Sequence, residues 1–271
     1  MSKKERHFFI NEQGKKLYCV EYFPDDMHGK KHCVILCKPI WGERIRTHII
    51  FSNLARLLSE RGFIVITCDY FGDGNSGGET LDLNYFSMVE DIGILYEYLK
   101  QNYNLKRCSL VGLRLGANVA MGVEGKIHEL RKLVLFEPVL NPIDLFNKAL
   151  RANLATQMAI HKKILKTREQ LIKDLENGIP VNIDGFVIGK KFWESFAQVS
   201  PLKVESDFDK PVSLYSLVLP GKKGNDYSIF AQSYQHAEVK SIEQEFDWTA
   251  WKSYIPKPDI FFGAVTSELE V

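Results

Sequence analysis

The stretch Gly112-Leu113-Arg114-Leu115-Gly116 decides the fold prediction for this chain. Its two glycines flank a central residue with the spacing of a nucleophile elbow, a sharp turn from a strand into a helix that pushes the central side chain outward. Residues 106–111 have the pattern of a short buried strand, and residues 117–123 continue as a helix rich in small residues. The sequence therefore predicts a strand, a strained turn and a helix, with Arg114 at the turn.

The residue at the centre of this elbow is unsuited to attack a substrate. Arginine stays protonated because its pKa lies above about 12, and its guanidinium has five donors but no usable lone pair. Covalent catalysis at position 114 is thereby excluded. Ser76, in a glycine-rich stretch, and Cys37, at the end of an apolar run beside Lys38, remain as lesser alternatives, because a turn serine and a buried thiol are usually inert.

The amino-acid composition is typical of an ordinary globular protein. The 271 residues, 45% of them hydrophobic, suffice for an α/β domain with an insertion. A net charge of +1 predicts neither nucleic-acid binding nor adhesion to an anionic membrane, and no apolar run is long enough for a membrane span. The five cysteines fall in apolar runs without metal-ligand spacing, and the N-terminus lacks a secretory signal pattern. We expect a cytoplasmic protein with buried free thiols, no metal and no cofactor.

Strands and helices alternate along most of the chain. Residues 8–10 and 16–23 predict an antiparallel hairpin, and apolar runs at 33–37, 63–68, 106–111 and 133–136 predict buried strands separated by helices. Residues 38–43 are predicted as a loop. From 141 to 201 the pattern changes to helices plus a hairpin at Asp184-Gly185, before strands resume at 212–218 and 238–242. This order predicts a mostly parallel central sheet with flanking helices and a helical lid insertion.

The predicted order of elements resembles the α/β-hydrolase fold over essentially the whole chain. Three motifs, Gly112–Ala117 (GLRLGA), Asp69–Ser76 (DYFGDGNS) and Phe136–Pro138 (FEP), resemble those of exosortase-associated or serine-aminopeptidase-like hydrolases, whose members share the arginine elbow. The corresponding domains are a core of residues 1–140 and 202–271 and a lid of residues 141–201. The resemblance implies hydrolysis of an ester, a thioester or an amide, although one fold hosts many functions.

The remaining members of a catalytic triad are only partly present. In this fold the acid follows the strand after the lid, and the histidine follows the last strand. Asp226 stands where the acid belongs, but no histidine follows His236 in the 271 residues, and the segment after the last strand contains Asp247 and Trp248 instead. We interpret His236 as a surface residue. The sequence thus lacks both the usual nucleophile and the usual base.

Arg114 has two interpretations. It projects at the N-terminus of the following helix, where free amides favour an anion, so that Lys38, Arg44 and Arg46 from the facing loop could grip an anionic group with it. Alternatively it pairs with Glu43 or Glu137, because a buried arginine without a partner is costly. The two interpretations are compatible, since a salt bridge can form the floor of a pocket.

Two functions follow from these alternatives. The first is an atypical hydrolase in which Glu43, Asp226 or Asp247 activates water while Arg114 stabilises negative charge; it predicts a polar pocket and a raised carboxylate pKa. The second is a catalytically inactive homologue that binds a small acyl or anionic ligand, or a partner protein. The candidate ligand-binding residues are Lys38, Arg46, Arg114, Glu137 and Trp248.

Overall fold

The structure of the protein, a computed structural model, describes residues 4–26, 32–199, 208–218, 221, 223–243 and 258–270. The strands within these ranges are β1 (Glu5–Glu12), β2 (Lys15–Tyr22), β3 (His32–Cys37), β4 (Ile64–Cys68), β5 (Arg107–Leu113), β6 (Leu130–Phe136), β7 (Val181–Ile183), β8 (Phe186–Ile188), β9 (Val212–Val218) and β10 (Ala237–Glu243). The helices are α1 (Trp41–Glu60), α2 (Tyr85–Tyr103), α3 (Leu115–Val123), α4 (Pro142–His161), α5 (Arg168–Glu176), α6 (Lys190–Gln198), α7 (Ser228–Ala231) and α8 (Asp259–Leu269).

Eight of these strands form one sheet in the order β1-β2-β4-β3-β5-β6-β9-β10. Strand β2 is antiparallel to β1 and to β4, and the remaining neighbours are parallel. The β1–β2 hairpin turns at Gln13 and Gly14, both with positive φ, which suits the right-handed twist of the strands. The predicted α/β-hydrolase fold, with a mostly parallel central sheet and flanking helices, is confirmed.

Both faces of the sheet are covered, which explains the unbroken apolar runs of its central strands. In β3, Cys33 and Ile35 face a core shared with α2 and α3, whereas Val34 and Leu36 face a second core shared with α1 and α8. The carboxyl ends of the parallel strands therefore open at one edge of a well-packed scaffold, where ligand sites of such sheets collect.

The prediction of a loop over residues 38–43 was wrong at its end, because α1 begins at Trp41. Glu43, Arg44 and Arg46 therefore lie on the first turns of a helix. Ile40, the residue before the helix, makes no capping hydrogen bond through its side chain, so no capping residue marks the start of α1 in the sequence. Trp41, the first residue of α1, packs against α6 there, with its ring 5.1 Å from the ring of Phe192.

The segment of residues 142–199 lies between β6 and β9, which are neighbours in the sheet. It contains α4, α5 and α6 and the β7–β8 hairpin, which turns at Asp184-Gly185 as predicted. Phe192 and Phe196 of α6 are buried in the core that also holds α2, and Ser195 Oγ accepts a hydrogen bond from the Tyr85 amide at 3.1 Å. In the described part of the chain, no helix has the length and apolar character needed to cross a membrane.

Candidate functional site

The elbow has the sharp geometry that its glycines predict. Arg114 joins β5 to α3 at φ 55° and ψ −126°, the mirror image of extended backbone and a conformation that side chains normally avoid. A Cβ atom on Gly112 would lie 2.5 Å from Ala117 Cα, and one on Gly116 would lie 2.2 Å from the Cys37 carbonyl oxygen. Both positions therefore require glycine, and the turn holds the Arg114 side chain at the carboxyl edge of the sheet.

Two carboxylates meet the Arg114 side chain there. Its Nε donates to Glu43 Oε1 at 3.1 Å, and its Nη1 donates to the Glu137 carbonyl oxygen at 3.4 Å and lies 3.9 Å from Glu137 Oε2. Burial alone would lower the pKa of the guanidinium, but the charges of Glu43 and Glu137 outweigh it and raise the pKa. We call Arg114, Glu43 and Glu137 the elbow cluster.

Glu137 is the most firmly held member of the elbow cluster. Its Oε1 accepts the Leu217 amide at 2.6 Å and the Ser216 hydroxyl at 3.1 Å, while Oε2 accepts from Asn225 Nδ2 at 2.7 Å and from the Tyr227 hydroxyl at 3.3 Å. All four donors belong to β9 and the loop after it, where the triad acid of this fold is expected. Sequence reasoning missed them, and the polar residues of that loop were the signal that could have revealed them.

Glu43 is held less tightly. It lies in the first turn of α1, where the helix dipole favours a carboxylate, and its side chain is 15% exposed. Trp41, Arg114 and Glu137 all have positive φ, with values of 54°, 55° and 47°. Non-glycine residues with positive φ are strained, and such residues occur at functional sites more often than elsewhere. The strained residues mark this corner as a candidate site on grounds independent of its charges.

The lysine and arginine residues expected to face the elbow have other partners. Lys38 Nζ donates to Asp69 Oδ1 at 2.7 Å, and Arg44 Nε lies 2.9 Å from Asp73 Oδ2. Burial would raise the pKa of Asp69, but Lys38 outweighs it and the pKa is lowered; for Asp73, burial prevails and the pKa is raised despite Arg44. The expected anion clamp of Lys38 and Arg44 around Arg114 is therefore not formed, because the nearer carboxylates of residues 69–73 take both cations.

The other candidate acids and bases are not brought to Arg114. Asp226 is exposed, and its Oδ1 accepts the Ser228 amide at 2.9 Å at the start of α7; that hydrogen bond lowers its pKa. Its carboxylate thus bonds the first amide of α7, and within the described residues no hydrogen bond or ion pair joins it to the elbow cluster. His236 is exposed in the turn before β10, as expected of a surface residue. Asp247 and Trp248 lie outside the described residues.

The alternative nucleophiles are engaged structurally. Ser76 Oγ donates to the Asp69 carbonyl oxygen at 2.5 Å and accepts the Tyr18 amide at 2.9 Å, so it fastens the glycine-rich loop to β2. Burial raises the pKa of the Cys37 thiol well above its ordinary value. Neither side chain is prepared for attack, because a reactive thiol needs a lowered pKa and a serine needs a base.

A cavity of about 850 Å³ lies between the start of α1 and the segment of residues 142–199. Its walls include Trp41, Arg46, Asn153, Gln157, Val181 and Phe186. Arg46, one of the candidate ligand-binding residues, lines this cavity, whereas the three members of the elbow cluster do not. Among the residues with described positions, no group of three or more His, Cys, Asp or Glu could hold a metal ion.

The model of the serine aminopeptidase (S33) family matches residues 45–179, which include the elbow. No curated protein is detectably similar to the chain in sequence. Among solved structures, Est1E from Butyrivibrio proteoclasticus with ferulic acid bound is 15% identical, with a TM-score of 0.68 over 97% of this chain and 100% of that chain. A putative hydrolase from Agrobacterium vitis S4 is 13% identical, with a TM-score of 0.64 over 98% of each chain.

Proline iminopeptidase from Mycobacterium smegmatis is 14% identical to the chain, with a TM-score of 0.59 over 98% of both chains. At such identities the likeness concerns the fold, which esterases and peptidases share. The strand order, the glycine elbow between β5 and α3 and the family match over residues 45–179 agree with one another. The chain therefore has the α/β-hydrolase fold, and its residues 45–179 are similar to the serine aminopeptidase (S33) family.

Proposed function

We propose that this chain is a hydrolase-fold ligand-binding protein, in which the elbow cluster has taken the place of a catalytic nucleophile. The observation that carries the proposal is the guanidinium of Arg114 at the centre of the elbow, hydrogen-bonded to Glu43 at 3.1 Å and to the Glu137 carbonyl at 3.4 Å. Arginine cannot attack a carbonyl, and these contacts hold it in the nucleophile's place.

The charge balance of the elbow cluster argues against a simple anion site there. One guanidinium faces two carboxylates, so the cluster has no surplus positive charge with which to hold an anionic ligand. A carboxylate ligand would have to displace Glu43 or approach it against repulsion. We therefore assign ligand binding to the neighbouring cavity and a structural role to the cluster.

The cavity suits a small molecule with an apolar body and a carboxylate. Its volume of about 850 Å³ lies in the range of roughly 300–1,000 Å³ that is typical of small-molecule sites. Trp41, Val181 and Phe186 offer apolar walls, and Arg46 offers a cation. In this proposal residues 141–201 act as a lid over a core of residues 1–140 and 202–271. Ferulic acid, which Est1E holds, is therefore a suitable first probe.

A second candidate function is hydrolysis by activated water. One observation favours it: the Glu43 carboxylate is partly exposed and contacts Arg114, whereas four hydrogen bonds occupy Glu137. Glu43 would then be the general base, and Arg114 would stabilise the developing negative charge. The relation of the fold to esterases agrees with such a reaction.

Binding and turnover measurements on the same protein distinguish the two functions. We expect ferulic acid or a medium-chain fatty acid to quench the tryptophan fluorescence, and Trp41→Phe to lose most of that change. Ala149→Phe, which fills the cavity without adding a tryptophan, should remove binding while the circular dichroism spectrum is kept. We expect no hydrolysis of short or medium acyl esters and thioesters above the buffer rate. Turnover that Glu43→Gln removes would instead establish the hydrolase function.

A further inference from the structure

The last turn of α4 and its connection to α5 expose an unusual number of large apolar side chains. We call residues 158–168 the basic tip. Ile160 is 67% exposed and Leu165 is 53% exposed, and Met158 and Ile164 are exposed nearby. Single exposed apolar residues are ordinary, but four within eight positions of one connection indicate a surface that contacts something less polar than water.

The same region is rich in positive charge. Residues 145–168 contain six lysine and arginine residues and no aspartate or glutamate. Two of the cations pair with carboxylates of α5, Lys166 with Asp174 at 2.6 Å and Arg168 with Glu169 at 3.2 Å. Lys162 and Lys163 lie between the exposed apolar side chains in the sequence. Their charges give this region a local surplus of positive charge, although the net charge of the whole chain is only +1.

We infer that the basic tip docks on the surface of an anionic lipid membrane. Apolar side chains interleaved with lysines suit an interface, because the apolar groups enter the boundary between headgroups and acyl chains while the ammonium groups meet anionic lipids. A net charge of +1 predicts no adhesion for the chain as a whole, but the attraction acts within about 10 Å and depends on the local surplus.

The cavity opens beside this surface. Ile160, His161, Leu165 and Lys166 line the cavity and are also exposed on the basic tip, so they form part of its rim. A docked tip would turn that rim towards the bilayer and give an amphiphilic ligand a path that avoids water. Membrane docking itself does not depend on ligand binding in the cavity, so the two proposals can fail separately.

Sedimentation of the full chain with lipid vesicles tests the inference. At low ionic strength we expect binding to phosphatidylcholine vesicles that contain phosphatidylglycerol, little binding to pure phosphatidylcholine, and release by added salt. The double substitution Lys162→Gln with Lys163→Gln should weaken binding about 30-fold, and Ile160→Asp with Leu165→Asp should abolish it. Ile229→Asp, at a 70% exposed position of α7, is the matched control and should bind like the unchanged chain.

Equal binding to both kinds of vesicle would overturn the inference, as would no binding to either. Unchanged binding by both tip variants would also overturn it, because another surface would then carry the contact. The tip positions are exposed, so we expect the variants to fold, and matching circular dichroism spectra verify this in each case.

Discussion

Replacing Arg114 with alanine removes the cation between Glu43 and Glu137 and leaves two carboxylates facing one another in a largely buried corner. Loss of one partner from a buried ion pair costs about 3–5 kcal/mol. Four hydrogen bonds remain on Glu137 and Glu43 is 15% exposed, so we expect the lower end, about 3 kcal/mol. For a chain of this size the thermal midpoint should fall by about 6–12 °C.

Arg114→Gly separates the lost charge from the strained backbone. Glycine adopts φ 55° without strain, so this variant should be about 1 kcal/mol more stable than Arg114→Ala. Glu43→Gln should cost less in the Arg114→Ala background than in the unchanged chain, because its charge then has no partner. Urea unfolding followed by circular dichroism measures all three effects. A loss below about 0.5 kcal/mol for Arg114→Ala, the size of an ordinary surface substitution, would refute the reasoning.

Three further predictions concern the scaffold. Gly116→Ala should destabilise the fold severely, because the new Cβ would lie 2.2 Å from the Cys37 carbonyl oxygen. Gly93→Ala on α2 is the control: its Cβ would have no neighbour within 4 Å, so the better helix propensity of alanine should raise the thermal midpoint slightly. Burial would raise the pKa of Glu268, but Lys132, Lys240 and other donors outweigh it and lower the pKa to about 2. The contribution of Glu268 to stability should therefore be complete above pH 4.5 and disappear as the pH falls towards 2, and Glu268→Gln should flatten acid unfolding in that range. Burial raises the pKa of all five cysteine thiols, so Ellman's reagent should label none in the native protein and five in denaturant.

The elbow could be predicted because its requirements are local. Gly112 and Gly116 are needed by contacts within a few residues of the turn and with the end of β3, and the apolar run of β5 places them in the sheet. The buried strands could be predicted equally well, because strands covered on both faces form nearly continuous apolar runs. The start of α1 could not be predicted in the same way, because no capping residue marks it and Trp41 packs against Phe192, which is distant in the sequence.

Charges in the candidate site were harder to place than its backbone. Glu43 and Glu137 were expected near Arg114, and the structure brings both to it. The pairing of Lys38 with Asp69 joins positions 31 residues apart, and spacing along the chain does not distinguish it from an anion clamp at the elbow. The polar residues of the loop after β9 mark it as a source of hydrogen-bond donors, but the convergence of four donors on Glu137 is seen only in the folded chain.

The central claim of the proposed function is that the elbow holds no covalent nucleophile, and intact-protein mass spectrometry after treatment with a fluorophosphonate tests it most directly. Under conditions that fully label a serine esterase, we predict an unchanged mass, because Arg114 occupies the elbow and Ser76 and Cys37 are engaged elsewhere. A stoichiometric adduct on a residue beside the elbow would contradict the account.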